Sequence, residues 1–337
     1  MLTVVQTDAA ASGRDVEDGV FAASGLPVEF LRSECTCEDD VVAHCARADA
    51  LLAAYVPLTA RVLAELTRCR HIAYLATGYN SVDLDAATKL GIVVTHVPDY
   101  CTAEVADHTL GLLLSLGRNI ARLQASVRAG EWDYEAAGRP ERLSDLTLGI
   151  IGLGRIGRAV AARAGAFGLR VVAADPYVDA AAMRVVGATK VELADVLACD
   201  IVSLHCALTS ETRGIVDAAA LARMKPSAFL INTARGGCVE TDALVDALRR
   251  GVIAGAGLDV VDPEPLPVRH PLRDLPNVVL TPHAAFMSRH ADREAREKAC
   301  RQIVTALRGD TPEHVCNPGV LSLPQCRLRG ESAHALR

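Results

Sequence analysis

The run Leu148-Gly-Ile-Ile-Gly152-Leu-Gly154-Arg-Ile-Gly157 constrains this chain more than any other. It reads as a β-strand entering a G-x-G-x-x-G turn that opens a helix, the first unit of an open parallel sheet. Gly152 permits the tight turn, Gly154 lets backbone approach a pyrophosphate, and Gly157 lets the helix pack on its strand. The helix N-terminus at Arg155 and Ile156 offers free N–H groups and positive dipole to phosphate. Asp175 follows Gly157 by eighteen residues, at the end of the apolar run Val171–Ala174. A carboxylate there accepts hydrogen bonds from ribose hydroxyls and repels a 2′-phosphate, and Pro176-Tyr177 brings no compensating Arg. The combination predicts NAD in preference to NADP. The bland alternative is a glycine-rich turn without cofactor; it needs strand, turn, helix and acid to coincide by chance.

The rest of the chain alternates in the same way. Strands are predicted at Leu2–Val5, Ala50–Ala53, Ile72–Leu75 and Ile92–Thr95, with helices over Thr59–Thr67 and Val82–Leu90. A long helix is predicted from Thr102 to Ala129, apolar nearly all round in its middle and so buried on several sides. Gly130–Ser144 reads as a loop. A second series predicts strands at Thr147–Ile151, Arg170–Ala174, Ile201–Leu204, Ala228–Asn232, Ala254–Leu258 and Val278–Thr281. Helices are expected over Arg155–Phe167, Leu193–Ala198, Thr241–Arg250 and Ser288–Arg308, and the tail around Cys326 is expected to be loose. The fold class is α/β, with two doubly wound parallel-sheet domains. Residues 1–98 plus 287–337 form the first, flavodoxin-like; 99–286 form the second, a Rossmann domain inserted into it. The active site is expected in the cleft between them.

At 337 residues, half of them apolar, the chain can bury two cores. A net charge of −6 gives no basic field for nucleic acid or an anionic membrane. No apolar run approaches a membrane span and no basic region precedes the first apolar residues, so a cytoplasmic location is expected. The 11 cysteines are scattered without a repeated C-x-x-C spacing. Cys35, Cys37, His44 and Cys45 match no usual zinc pattern, so no metal is expected and the thiols read as small apolar residues.

Three segments fall at or just after strand ends of the second domain, where open α/β sheets bind ligands. They are Asn232-Thr-Ala-Arg-Gly-Gly237, Gly257-Leu-Asp-Val-Val-Asp-Pro-Glu-Pro265 and Thr281-Pro-His-Ala-Ala285. Arg235 can hold a carboxylate bidentately and polarise a neighbouring carbonyl. His283 can carry a proton at neutral pH, and Glu264 can orient it and favour its charged form. Singly, each has a dull reading: a surface cation, a hydrogen-bonded loop histidine, a solvated turn. Spacing alone does not make the three converge.

Six motifs in order carry a resemblance. Besides the glycine-rich run and the three segments above, they include Ala76-Thr-Gly-Tyr-Asn-Ser-Val-Asp83 and Leu204-His-Cys206. From about Ala76 to Asn317 the chain resembles the NAD-dependent D-isomer-specific 2-hydroxyacid dehydrogenases. The resemblance implies Arg235 as substrate binder, Glu264 as carboxylate partner and His283 as proton donor. It implies cofactor contacts from Thr77, Gly152, Gly154, Arg155, Ile156, Gly157, Asp175, His205, Cys206, Thr212, Thr233, Ala234, Arg235, Asp259, His283 and Ala285. Ala76, Thr77, Gly78 and Tyr79 resemble the loop whose backbone grips the substrate carboxylate, and Tyr100 and Phe286 are candidate neighbours. It also implies a homodimer. The most similar subgroup is that of the corepressors called C-terminal-binding proteins, which differ in carrying Trp at Phe286 and a basic residue at Tyr74.

The expected reaction interconverts a small 2-oxo acid and its (R)-2-hydroxy acid. Two alternatives stay open: an NAD(H)-sensing corepressor-like binding protein, and a dehydrogenase of a phosphonate or phosphite-type acid. Tyr55, Tyr74, Tyr79, Tyr100 and Phe286 are candidates to line the space beside the carboxylate. With few cations there besides Arg235, uncharged 2-oxo acids are expected to outperform dianionic ones.

Overall fold

Short apolar runs alternating with amphipathic stretches build two open, wholly parallel sheets in the computed structural model, which describes residues 1–8 and 13–329. The chain divides into two compact units, Met1–Tyr100 with Ser288–Arg337, and Cys101–Met287.

The first unit runs β1 (Leu2–Gln6), α1 (Asp15–Ser24), β2 (Val28–Arg32), α2 (Glu38–Cys45), β3 (Ala50–Ala53), α3 (Ala60–Glu65), β4 (His71–Tyr74), α4 (Leu84–Lys89) and β5 (Val93–Thr95). Its sheet order is β2-β1-β3-β4-β5, the flavodoxin-like order. Every residue of β3 and β4 is buried, as central strands covered on both faces require. The strand β2 escapes a reading by apolar runs because it lies at the sheet edge and buries only Phe30 among charged neighbours. Likewise α2 opens on three acids and buries only Val41 and Cys45.

The second unit runs α5 (Thr102–Gly117), α6 (Ile120–Arg128), β6 (Thr147–Ile151), α7 (Arg155–Ala166), β7 (Arg170–Ala174), α8 (Ala180–Val185), β8 (Ala188–Lys190), α9 (Leu193–Leu197), β9 (Ile201–Leu204), α10 (Ala218–Leu221), β10 (Phe229–Asn232), α11 (Thr241–Arg249), β11 (Gly255–Leu258) and β12 (Val278–Leu280). The sheet order β12-β11-β10-β9-β6-β7-β8 is the doubly wound dinucleotide-binding order with a seventh strand added, and its switch point lies between β6 and β9. The chain then forms α12 (Arg289–Leu307) in the first unit. There Arg296 reaches a bidentate pair with the buried Glu17 of α1, at 2.7 and 2.6 Å.

Two expectations are corrected. The predicted helix Thr102–Ala129 is two helices, because Asn119 takes a left-handed conformation (φ 51°) and its side chain donates to the Ala137 carbonyl. The tail is packed through Leu328: Cys326 and Leu328 are buried with Val93, Ala306 and Val320, and Arg327 donates to the carbonyls of Leu66 and Cys69. The charged end beyond residue 329 lies outside the described residues. Among the described residues no helix is long and apolar enough to cross a membrane.

Candidate active site

The nucleotide side of the second unit is built at the switch point. Gly152 has φ +90°, and a Cβ there would come within 2.7 Å of the Cys206 nitrogen, so only glycine lets the first turn lie against the end of β9. A Cβ on Gly157 would meet the Gly152 carbonyl oxygen at 2.3 Å, the close helix–strand approach the motif demands. Gly154 has the opposite environment: nothing lies within 4 Å of the space a Cβ would fill, so the cradle is open where α7 begins at Arg155 and Ile156. Asp175 follows β7, with Oδ2 accepting from the Leu153 N–H at 2.7 Å and Oδ1 from the Tyr177 N–H at 2.8 Å. Each oxygen keeps a further lone pair for a ribose hydroxyl. Burial pushes His205 down to about 3, so it is neutral; Nε2 bonds Ser203 Oγ at 2.8 Å while the buried Nδ1 has no partner. These groups fit NAD: an open glycine cradle, a helix N-terminus, an acceptor-only carboxylate and an orphaned ring nitrogen. Thr212 closes the following loop, donating to the Ala207 carbonyl and accepting from the Thr209 N–H. A hydrogen bond to Cys206, helped by Arg235, holds the Cys238 thiol below its usual range, and the same bond together with burial pushes Cys206 up.

The candidate catalytic residues follow β10, β11 and β12. Asn232 ends β10 and folds the next turn on itself, accepting from the Ala234 N–H and donating to the Arg235 carbonyl. That turn presses against the 261–262 backbone: a Cβ on Gly236 would overlap the Val261 carbonyl oxygen at 1.9 Å, so position 236 admits only glycine. Asp259, after β11, is buried and gathers the turn after β12. Its Oδ1 accepts from the Thr281 hydroxyl at 2.5 Å and the Ala284 N–H at 2.9 Å, and Oδ2 from the Ala285 N–H at 3.0 Å. The backbone of His283 sits at φ +53°, rare for a side chain with a Cβ, and is held by its N–H bond to the Asp259 carbonyl at 2.8 Å. Its Nδ1 lies 2.6 Å from Glu264 Oε1 and its ring meets Phe286 edge to face at 6.2 Å. Because a carboxylate only accepts, Nδ1 carries the proton toward Glu264, leaving Nε2 as the atom that exchanges one. Glu264 and His283 therefore pair as expected; Arg235 occupies its own loop, with Nη1 donating to the Ala234 carbonyl at 2.6 Å.

The helix α5 braces both loops, which the sequence reading missed. Thr109 Oγ1 bonds Thr233 Oγ1 at 2.9 Å, and His108 Nε2 bonds Thr281 Oγ1 at 2.8 Å. The available signal was the polar run Asp107-His-Thr109 leading into the apolar stretch Leu110–Leu114.

In the first unit, the loop after β4 carries Ala76, Thr77, Gly78 and Tyr79. The Thr77 carbonyl accepts from His96 Nδ1 at 2.7 Å, its hydroxyl donates to Val97, and the Tyr79 ring meets His96 edge to face at 5.1 Å. Tyr74, a candidate for lining the substrate space, is instead a core residue: it is fully buried and bonds Ser81. Tyr55 is largely exposed and Tyr100 is buried.

Residues 110–285 match the family described as D-isomer specific 2-hydroxyacid dehydrogenase, NAD binding domain. A glyoxylate reductase of Thermofilum pendens is 39% identical over 273 residues, 79% of this chain and 80% of that one. A D-3-phosphoglycerate dehydrogenase of Methanocaldococcus jannaschii is 38% identical over 80% of this chain, which spans about half (51%) of that longer protein. Among solved structures, a D-lactate dehydrogenase from Aquifex aeolicus, complexed with NAD and lactic acid, superposes with a TM-score of 0.81 at 29% identity, covering 91% of this chain and 96% of that one. The chain belongs to the D-isomer specific 2-hydroxyacid dehydrogenase family and is an NAD-dependent enzyme of that family.

Proposed function

We propose that this dehydrogenase reduces a small 2-oxo acid with an uncharged side chain to its (R)-2-hydroxy acid, with His283 as the proton donor. The observation that carries the reading is the 2.6 Å bond between His283 Nδ1 and Glu264, which leaves Nε2 to deliver the proton. When bound, NADH would supply the hydride for the carbonyl carbon. Arg235 binds the substrate carboxylate and polarises the carbonyl, and His283 Nε2–H protonates the oxygen as the alkoxide forms. The domain of residues 1–98 and 287–337 is assigned to the substrate, through the backbone of Ala76 to Tyr79 and through Tyr100. Phe286, packed on the His283 ring, is assigned to the same substrate. The cofactor is assigned to Gly152–Gly157, Asp175, His205, Cys206, Thr212, Thr233–Arg235, Asp259, Ala285 and Thr77. Glyoxylate and pyruvate head the substrates to test, since glyoxylate reductase and D-lactate dehydrogenase are among the relatives.

The experiment is NADH oxidation over a panel of 2-oxo acids, including 2-oxoglutarate and 3-phosphohydroxypyruvate, with unmodified enzyme and His283→Gln. Monoanionic acids should be preferred, and His283→Gln should bind NADH yet lose about 10²–10⁴-fold in kcat. Near-normal turnover in the variant removes His283 from the chemistry; preference for the dianions overturns the substrate class.

We also propose a homodimer, carried by a surface other than α5. The helix α6 buries no side chain, and Ile120, Val127, Trp132 and Tyr134 in the second unit are exposed, large apolar side chains.

A further inference from the structure

His108 lies outside every motif of the catalytic set, on α5, with its side chain about one-quarter (26%) exposed. The hydroxyl of Thr281 has one proton, and that proton goes to Asp259 Oδ1 at 2.5 Å. The 2.8 Å contact between His108 Nε2 and Thr281 Oγ1 therefore runs from Nε2–H to the hydroxyl oxygen. Nε2 also lies 3.6 Å from Asp259 Oδ1, so the donor faces the same carboxylate. Asp259 in turn holds the Ala284 and Ala285 N–H groups, and its carbonyl holds that of His283. A hydroxyl without this donor is free to rotate away from Asp259. The turn that keeps His283 at a positive φ would then lose a tie.

We propose that His108 is a positioning residue: its Nε2–H pins the Thr281 hydroxyl onto Asp259 and thereby fixes the turn that presents His283. The assignment rests on the reading of His283 as proton donor. Its work is orientation of a group already in place, so it acts on the rate of the chemical step and hardly on substrate binding. Glutamine at 108 can present an N–H close to the Nε2 position; leucine fills similar space without a donor.

The test uses His108→Leu, His108→Gln, Thr281→Val and the Leu/Val double variant, each assayed with NADH and glyoxylate or the best acid of the panel. His108→Leu should lower kcat about tenfold, the rate equivalent of one hydrogen bond, with KM little changed, and His108→Gln should recover most of it. If the two residues act as one relay, the double variant is no slower than Thr281→Val alone. Amide exchange in the cofactor-free protein gives a readout besides activity: the Ala284 and Ala285 N–H groups should exchange about tenfold faster in His108→Leu and return toward normal in His108→Gln. Multiplying losses in the double variant, or unchanged exchange at 284 and 285, overturns the relay. A His283→Gln control separates the two readings. If it collapses while His108→Leu turns over normally, the His108 assignment fails alone; if it turns over normally, the donor assignment fails and amide exchange still decides the relay.

Discussion

Acid should unfold this protein partly through one histidine beneath the substrate-assigned loop. His71, on the central strand β4, is fully buried. Its Nε2 lies 2.9 Å from Thr95 Oγ1, whose own proton goes to Gln302 Oε1 at 2.7 Å, so Nε2–H is the donor. Nδ1 is then a bare acceptor, buried without a partner, and protonating it would place a charge in the core with nothing to receive the hydrogen bond. Burial accordingly lowers the group from 6.5 to about 3. The sign follows from proton counting: below 6.5 the unfolded chain takes up a proton that the folded chain refuses, so stability is complete above the unfolded value and is lost as pH falls toward 3. Between about pH 7 and about pH 5 that uptake costs about 2 kcal/mol of folding stability for this one residue. The assay is denaturant unfolding of the unmodified protein and His71→Met at both pH values. Methionine loses the bond to Thr95, but that cost is the same at both and cancels in the difference. The stability gap between the two proteins should narrow by about 2 kcal/mol on acidification. Parallel pH dependences would refute the argument, since nothing but the histidine's own proton distinguishes the curves. The loss bears on function: Gln302 continues the network to the His96 carbonyl, and His96 holds the Thr77 carbonyl.

Three further outcomes are expected. Asp175→Ala should weaken NADH binding and narrow its advantage over NADPH, because the acceptor assigned to the ribose is lost together with the tie to Leu153; equal use of both cofactors by the unmodified enzyme would remove this role. Arg235→Lys keeps the charge but not the planar fork, so kcat/KM should drop at least tenfold, about 1.4 kcal/mol, while NADH affinity is largely kept; an unchanged kcat/KM would exclude bidentate binding. Light scattering at micromolar concentration should show a dimer, and Trp132→Ser with Tyr134→Ser should weaken it; a monomeric unmodified protein would leave the 120–134 stretch to another partner.

What the sequence discloses here depends on how local each signal is. The strand–glycine–helix unit, the acid at 175 and the buried strands β3, β6 and β9 are written within a few residues each, so period and turn chemistry suffice to find them. The pairing of Glu264 with His283 is not local: nineteen positions separate them, and residue types suggest the pair without bringing it together, whereas the structure places Oε1 2.6 Å from Nδ1. Edge elements were missed for the converse reason. The strands β2 and β8 bury so little that their composition looks like loop, and they exist because a neighbouring strand supplies their hydrogen bonds. Tyr74 misled because an aromatic beside a substrate loop and an aromatic in a core have the same letter; its complete burial on β4 and the bond to Ser81 settle it as core.

The burial expected of α5 is met in an instructive way. A helix apolar nearly all round needs contacts on several sides, and a second subunit is one way to supply them. The structure supplies them within the unit. Val105, Leu110, Leu112, Leu113 and Leu116 are all buried, and α5 lies against α7 and the strands β10 and β11. The enabling residues are far away in sequence: β11 reads Gly255-Ala-Gly257-Leu, and a Cβ on Gly257 would sit 3.0 Å from the Leu112 Cβ. A bare strand face lets the helix approach closely enough to bury its leucines on the sheet. That same approach brings His108 and Thr109 to the ends of β12 and β10, where each bonds a hydroxyl in the loops bearing His283 and Arg235. The glycines of β11 therefore do two things at once. They bury the helix, and they set the height at which His108 and Thr109 meet the loops bearing His283 and Arg235.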